Sequence, residues 1–283
     1  MTDRPSTLNL LWGQVRYQNR IFWRTPISAF FTLVFPLMFL IVFGLVFGAE
    51  EIAETGLTVA QFYAPALAVF GAVSATYTNL AISTAIARDE GILKRVRGTP
   101  LPPWCYIAGR VGSAVYMAGI SVGILLAVGV AFYGLQIYGA AVPALVVTFL
   151  VGVATFATLG LLMAALAPSG AAAPAIANAT LLPLAFFSDI FIVTTDDTPA
   201  WIARFADLFP LRHFATAFVD GFEPIFVSQQ QSWLDHIHWE DLGVMVLWLA
   251  ATAVLTLRYF TWEPRAGERR SGRRRRSRSA QQS

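Results

Sequence analysis

An all-α integral membrane protein is the fold class that the sequence predicts, and three observations predict it. The chain has 283 residues, of which 56% are hydrophobic and only 13% charged, with a mean hydropathy of +0.59. Soluble domains carry about a quarter charged residues. Second, six apolar runs, 27–48, 62–87, 106–133, 143–167, 171–193 and 242–260, are each near the ~20 residues needed to cross a bilayer. Third, these runs are uniformly apolar. Barrel strands alternate, so the spans are helices, which satisfy their own backbone in lipid.

Charge orients the spans. Lys and Arg accumulate on the cytoplasmic side of membrane proteins. Eighteen of the twenty basic residues fall in 1–24, 88–110, Arg258 and 263–283, and six spans put all of these on one face. The other face receives Glu50, Glu51 and Glu54, an uncharged connection near 134–142, and the acidic segment 194–241. Both termini are therefore expected in the cytoplasm, with the chain in the plasma (cytoplasmic) membrane. The arginines of 1–24 lie among polar residues and the first run is long enough to span, so no cleavable signal is expected. Cys105 is the single cysteine, which excludes an intramolecular disulfide.

The elements follow in order. Residues 1–25 form a cytoplasmic N-terminus with an amphipathic interfacial helix. Leu8, Leu11, Trp12, Val15, Phe22 and Trp23 keep helical spacing, opposite Asn9, Gly13, Arg16 and Arg20. A plain extension of the first span is the alternative. Thr25-Pro26 ends the helix, because a residue before proline avoids the helical region. Residues 26–261 hold the transmembrane domain. Pro36, Pro65 and Pro183 should kink or break their helices. Gly44/Gly48 and Gly119/Gly123 permit close helix approach, expected within the chain. In 194–241, apolar residues at helical spacing (Trp201, Ile202, Phe205, Leu208, Phe209) are broken by Pro210, which predicts a short external helical hairpin before the last span. Residues 262–283 read as a disordered Arg-rich tail.

The charged segment between the second and third runs predicts a short cytoplasmic helix. Asp89 and Glu90 open it, and Lys94, Arg95 and Arg97 close it, matching the helix dipole. Glu90 and Lys94 form an i,i+4 pair, and Ile92, Leu93 and Val96 share a face. Gly98-Thr99-Pro100 stops the helix, Pro102-Pro103 turns the chain back, and Trp104 sits as an interfacial anchor. Read from residues alone, this segment is either a docking helix or a positive-inside hairpin on the headgroups.

Here "RDEGILKRVRGTPLPPWCYIAGR" resembles the signature loop of the type-2 ABC exporter permeases, the family of drug, polysaccharide and lipid exporters. The matching positions are Glu90, Gly91, Ile92-Leu93, Lys94-Arg95, Thr99-Pro100 and Trp104. The resemblance extends through "RTP" before the first span and Pro36 within it, and to "FFSDIF", "PAWIARFADLFPLRHF" and "AFVDGF". It implies that the loop is a coupling helix, with Glu90, Gly91, Ile92, Leu93, Lys94, Arg95, Val96, Arg97, Thr99 and Pro100 engaging a cytoplasmic ATPase. It implies two ATPase subunits and a second permease copy or close relative. Asp189 departs from many relatives, which leaves the substrate open.

The remaining chemistry is sparse. There is no G-x-x-x-x-G-K-[ST] phosphate loop; the only lysine, Lys94, lies in no such motif. The chain is therefore expected to be no enzyme and to hold no cofactor, ATP and Mg residing on the partner ATPase. Asp189 is either a substrate-path or gate residue, as intramembrane carboxylates are, or a cap at the outer interface. His236 and His238 alternate rather than share a helix face, so no metal site is expected. The Arg tail is expected to meet membrane lipids or set topology, and no nucleic-acid partner is expected. A secondary transporter would show inverted repeats, and a lipid-carrier enzyme would need a concentrated cluster of polar groups. The nearly uncharged, aromatic-rich spans point to an amphipathic or apolar substrate.

Overall fold

The computed structural model describes residues 6–47, 50–51, 56–192, 199–230 and 232–263. The Arg-rich tail from 264, together with Gly48, Glu54 and 193–198, lies outside the described residues. Within them the chain is helical, with one isolated bridge, Glu51 to Thr58.

The amphipathic helix α1 spans Thr7–Trp23, capped by the Ser6 hydroxyl accepting from Asn9 N–H. Its packed face differs from the expected apolar stripe. Gln18 and Phe22 are buried, whereas Leu8, Trp12 and Trp23 are exposed. The seam lies against α7 (Pro103–Tyr133), where a Cβ at Gly109 would collide with Gln14. Thr25 closes α1 onto the Ile21 carbonyl.

The first run becomes α2 (Pro26–Ala29), a π turn (Phe30–Val34) and α3 (Phe35–Phe47). Pro36 explains the wide turn. It cannot donate to the Thr32 carbonyl, and its ring crowds that oxygen. The Ser121 hydroxyl of α7 donates to Thr32 O at 2.8 Å instead. Gly71 keeps that contact open, since a Cβ there would strike Ser121 Oγ. Pro65 and Pro183, by contrast, sit inside uninterrupted helices, α4 (Val59–Val73) and α9 (Ala173–Phe187), so the expected breaks are absent there.

Helix α4, a second π turn (Ser74–Thr78) and α5 (Asn79–Asp89) make one 31-residue crossing that is mostly buried, and it is the axis of the bundle. Alanines at 60, 64, 66, 68, 72 and 75 are each fully buried, which lets neighbours close in. Thr58 and Gln61 form a reciprocal capping box, and the Gln61 amide also donates to Tyr133 O at 3.1 Å, tying the start of α4 to the end of α7. The carbonyls of Thr76 and Tyr77 lie directly against Gly160 of α8 (Val142–Leu166). Threonines join α8 to α13 (Trp239–Tyr259): Thr158 and Thr252 hydroxyls are 2.8 Å apart, and Thr155 Oγ1 donates to Met245 O.

Among the described residues, five helices are long and apolar enough to cross a membrane. The fifth expected run gives only α9, 15 residues or about 22 Å, because the helix ends at Ser188 and Asp189 turns left-handed. Between α9 and α13 lie α10 (Ala200–Ala206), α11 (Pro210–Val219), a 3-10 turn (Asp220–Phe222) and α12 (Pro224–Gln229). Pro210 begins α11 at its first turn, where the missing N–H is harmless. Phe214 of α11 packs face-on against Gly152 of α8. The glycine pairs diverge. Gly44 is filled by Tyr133, but Gly119 and Gly123 meet nothing among the described residues and open onto an apolar groove of about 320 Å³.

Candidate functional site

The charged loop forms a helix, but with a later start than the spacing suggests. Helix α5 runs on through Asp89, Glu90 is its cap, and Gly91 turns left-handed at φ 72°. The short helix α6 is then Ile92–Arg97. Asp89 and Glu90 thus close α5 and do not open α6, and Glu90 makes no ion pair with Lys94 among the described residues. Lys94 lies 3.7 Å from Glu263 instead, with both side chains exposed, a contact worth little. Thr99 stops α6 by donating to Val96 O at 2.7 Å, and Pro102-Pro103 opens α7.

Leu93 corrects the expected docking face. It is fully buried within its own chain, packed with Ala87 and Tyr106. Ile92, Val96, Leu101, Ile107, Phe260 and Trp262 surround that cluster. The apolar side of α6 therefore holds the loop onto α5, α7 and the end of α13. The surface left to solvent is Glu90, Lys94, Arg95, Arg97, Gly98, Thr99 and Pro100.

Below the loop sits a tie that the sequence reading passed over. Arg88 is 2% exposed. Its two Nη atoms donate to Ala164 O at 2.8 Å and Ala167 O at 2.9 Å, and its Nε to Asp89 at 3.0 Å. The last carbonyls of a helix lack internal partners, and Arg88 supplies them for α8. Asp89 in turn accepts from Gly170 N–H in the α8–α9 turn. The adjacent Arg-Asp pair at the end of an apolar run was the available signal. What the pair grips could not be read from it.

At the opposite end of the bundle, Asp189 takes the left-handed conformation (φ 57°) and pairs with Arg212 of α11 at 3.6 Å. Arg212 also meets Asp207 at 3.2 Å and donates to Ala203 O. Beside them, Asp241 at the start of α13 receives His213 Nδ1 at 2.6 Å and His238 Nδ1 at 3.3 Å. His238 Nε2 lies 3.3 Å from Asp220, with the Phe226 ring stacked on it. The hydrogen bond to Asp241 raises His213 above its ordinary value. Burial alone would lower His238, but Asp241, Asp220 and Glu223 outweigh it and hold it up. Burial lifts Asp220 to about 6 and Glu223 to about 7.

All four shifts favour the protonated form in the folded state. The histidines stabilise fully below their ordinary value and lose this as pH rises through the raised one. The two acids lose stability as pH rises from about 4, their ordinary range, to about 7. The α11–α13 junction is therefore expected to loosen between pH 5 and pH 8. Hydrogen exchange of the Leu211–Val219 amides, corrected for intrinsic rate, checks this. Asp220→Asn should flatten the slope, and protection that grew with pH would contradict it.

Comparison with known proteins fits this architecture. The profile of the ABC-2 type transporter family matches residues 9–222. The chain is also similar to the inner membrane transport permease YadH of Escherichia coli K12, 27% identical over 168 residues, or 59% of this chain and 64% of that permease. The YadH proteins of Escherichia coli O157:H7 and Shigella flexneri match to the same extent. The alignment thus spans just under two thirds of those relatives. The matched family region begins in α1, takes in the α6 loop and the Arg88–Asp89 tie, and ends at Phe222, so the chain belongs to the ABC-2 type transporter family and is a multi-pass membrane protein.

Proposed function

We propose that this chain is the membrane half of an ABC-type exporter. It would move an amphipathic or apolar, drug-like or lipid-like substrate outward, driven by ATP hydrolysis on a separate ATPase subunit. The observation that carries the reading is the α6 loop: a polar, basic ridge hung between two long spans and clamped to them from beneath. Leu93 fixes the ridge to α7, and Arg88 and Asp89 link its stem to α8 and α9. A push on Arg95, Arg97 or Thr99-Pro100 is thereby delivered to four helices. The ridge is the ATPase contact, the working unit has two permease chains and two ATPases, and ATP and Mg belong to the ATPases.

Six crossings, with both termini cytoplasmic, are part of the proposal. Helix α9 is short, but it starts beside Asp89 and its continuation ends where Tyr63 Oη donates to Phe191 O, near the far end of α4. It therefore runs the length of the bundle. Asp189 is a structural cap that binds α11 through Arg212, rather than a gate. Rings of Phe35, Phe39, Phe70, Phe186 and Phe191 form a contiguous aromatic wall beside it, suited to an apolar cargo.

Nucleotide binding tests the division of labour. The purified chain is expected to show no saturable ATP binding, while the complex with its ATPase hydrolyses ATP and loads inside-out vesicles. Saturable ATP binding by the chain alone would contradict the reading.

A further inference from the structure

A second feature of α7 lies outside the coupling site. Arg110 stands inside this span, seven residues or about 10 Å from its start, and is 4% exposed. A guanidinium is always charged and has five N–H donors. Among the described residues Arg110 forms one hydrogen bond, from Nη1 to the Tyr106 hydroxyl at 3.0 Å, with its charge 5.3 Å from that ring. No carboxylate of the described residues is within ion-pairing distance of it. An isolated buried ion is costly, and charged groups inside membranes are paired or functional.

The space beside it is lined by polar groups and contains no acid. A narrow slot under α1 is lined by Arg110 and Ser113 of α7, Gln18 and Phe22 of α1, and Asn79 and Ser83 of α5. Gln18 is 6% exposed, and its Nε2 is buried with no acceptor. Thus an uncompensated cation and an unused N–H donor, from two different helices, line one cavity that contains no acid.

We propose that this slot binds an anionic phosphate oxygen, held by Arg110 and Gln18. The cavity holds about 10 Å³, enough for one water-sized atom. That admits a single oxygen, not a whole phosphate, so the rest of the ligand stands outside, at headgroup depth. A phospholipid meets that requirement, since its acyl chains can lie in the bilayer beside α7 while one phosphate oxygen enters the slot. Basic pockets between spans are known to take lipid headgroups in this way. Occupancy would clip α1 onto α5 and α7. The inference needs only that α7 crosses a bilayer, and it is independent of the cargo and of the ATPase.

The test uses the full-length chain in detergent, titrated with phosphatidylglycerol, phosphatidylcholine or inorganic phosphate. Retained lipid is read by native mass spectrometry and the unfolding midpoint by thermal scan. Phosphatidylglycerol is expected to bind saturably and raise the midpoint, with phosphatidylcholine far weaker. Arg110→Gln should weaken phosphatidylglycerol roughly tenfold or more, the loss of a hydrogen bond to a charged group, and Arg110→Lys should restore part of it. Should inorganic phosphate alone give the same Arg110-dependent shift, the site stands with a free anion as its occupant. If Arg110→Gln fails to fold, Gln18→Leu, which removes the amide donor and fills the slot, is read instead. Unchanged phosphatidylglycerol binding in a folded Arg110→Gln or Gln18→Leu chain overturns the proposal. So does a loss produced only by neutralising the exposed Arg16 and Arg20.

Discussion

Leu93→Asp is expected to remove the folded protein from the membrane fraction. Leu93 is fully buried among Ala87, Tyr106 and Trp262, so the change both empties an apolar site and leaves an ion in it. Truncation to alanine at such a site costs about 2–5 kcal/mol, and burying an unpaired carboxylate adds several more. Marginally stable proteins do not survive that loss. Arg97→Glu, at an exposed position on the same short helix, should shift stability by no more than about 0.5 kcal/mol while weakening ATPase association. Quantifying monodisperse protein for Leu93→Ala, Leu93→Asp and Arg97→Glu separates the two sides of α6. A stable, abundant Leu93→Asp chain that fails only to bind the ATPase would mean that Leu93 faces the partner after all.

Arg88→Met should be nearly as damaging. The change exposes the Ala164 and Ala167 carbonyls inside the bundle and leaves Asp89 without its counter-charge. Breaking one partner of a buried ion pair costs about 3–5 kcal/mol. Lysine cannot reach two carbonyls and a carboxylate at once, because it offers a point charge in place of a planar fork. Arg88→Lys should therefore recover only part of the loss. Unfolding midpoints of the purified chain in detergent give the ranking wild type, Arg88→Lys, Arg88→Met. Equal midpoints would show that the tie carries no load. In the assembled transporter, Arg88→Lys should also lower transport per ATP hydrolysed, since α6 would move without carrying α8 and α9.

Run length located the spans well, because the bilayer imposes one thickness on every crossing. Five of the six expected runs end within a few residues of their helices, and Pro210 begins α11. The fifth did not follow. Apolar character continues past Phe187, but the backbone turns at Asp189, and hydropathy does not report a turn. The α6 helix was readable from its stop signals and basic end. Its facing was not, since Ile92, Leu93 and Val96 form an apolar stripe whether they meet a partner or their own chain. Arg88 and the His213–Asp241 pair went unread for a common reason. Their partners lie 76, 79 and 28 residues away in the chain for Arg88 and His213, and folding alone brings them together. Arg110, a lone charge inside an apolar run, is visible in the sequence as the Arg88-Asp89 pair is, but what it faces is not.

In the proposed mechanism, the solvent-facing ridge of α6 is the contact through which ATP hydrolysis moves the spans. Photo-crosslinking from a side chain installed at Arg97, in the assembled and transporting complex, tests it most directly. The expected product is an adduct between this chain and the ATPase, whose yield changes when ATP is added, with none from the same crosslinker at Trp12 on α1. A complex that transports at wild-type rate, yet gives no ATPase adduct from position 97 with or without ATP, would contradict it.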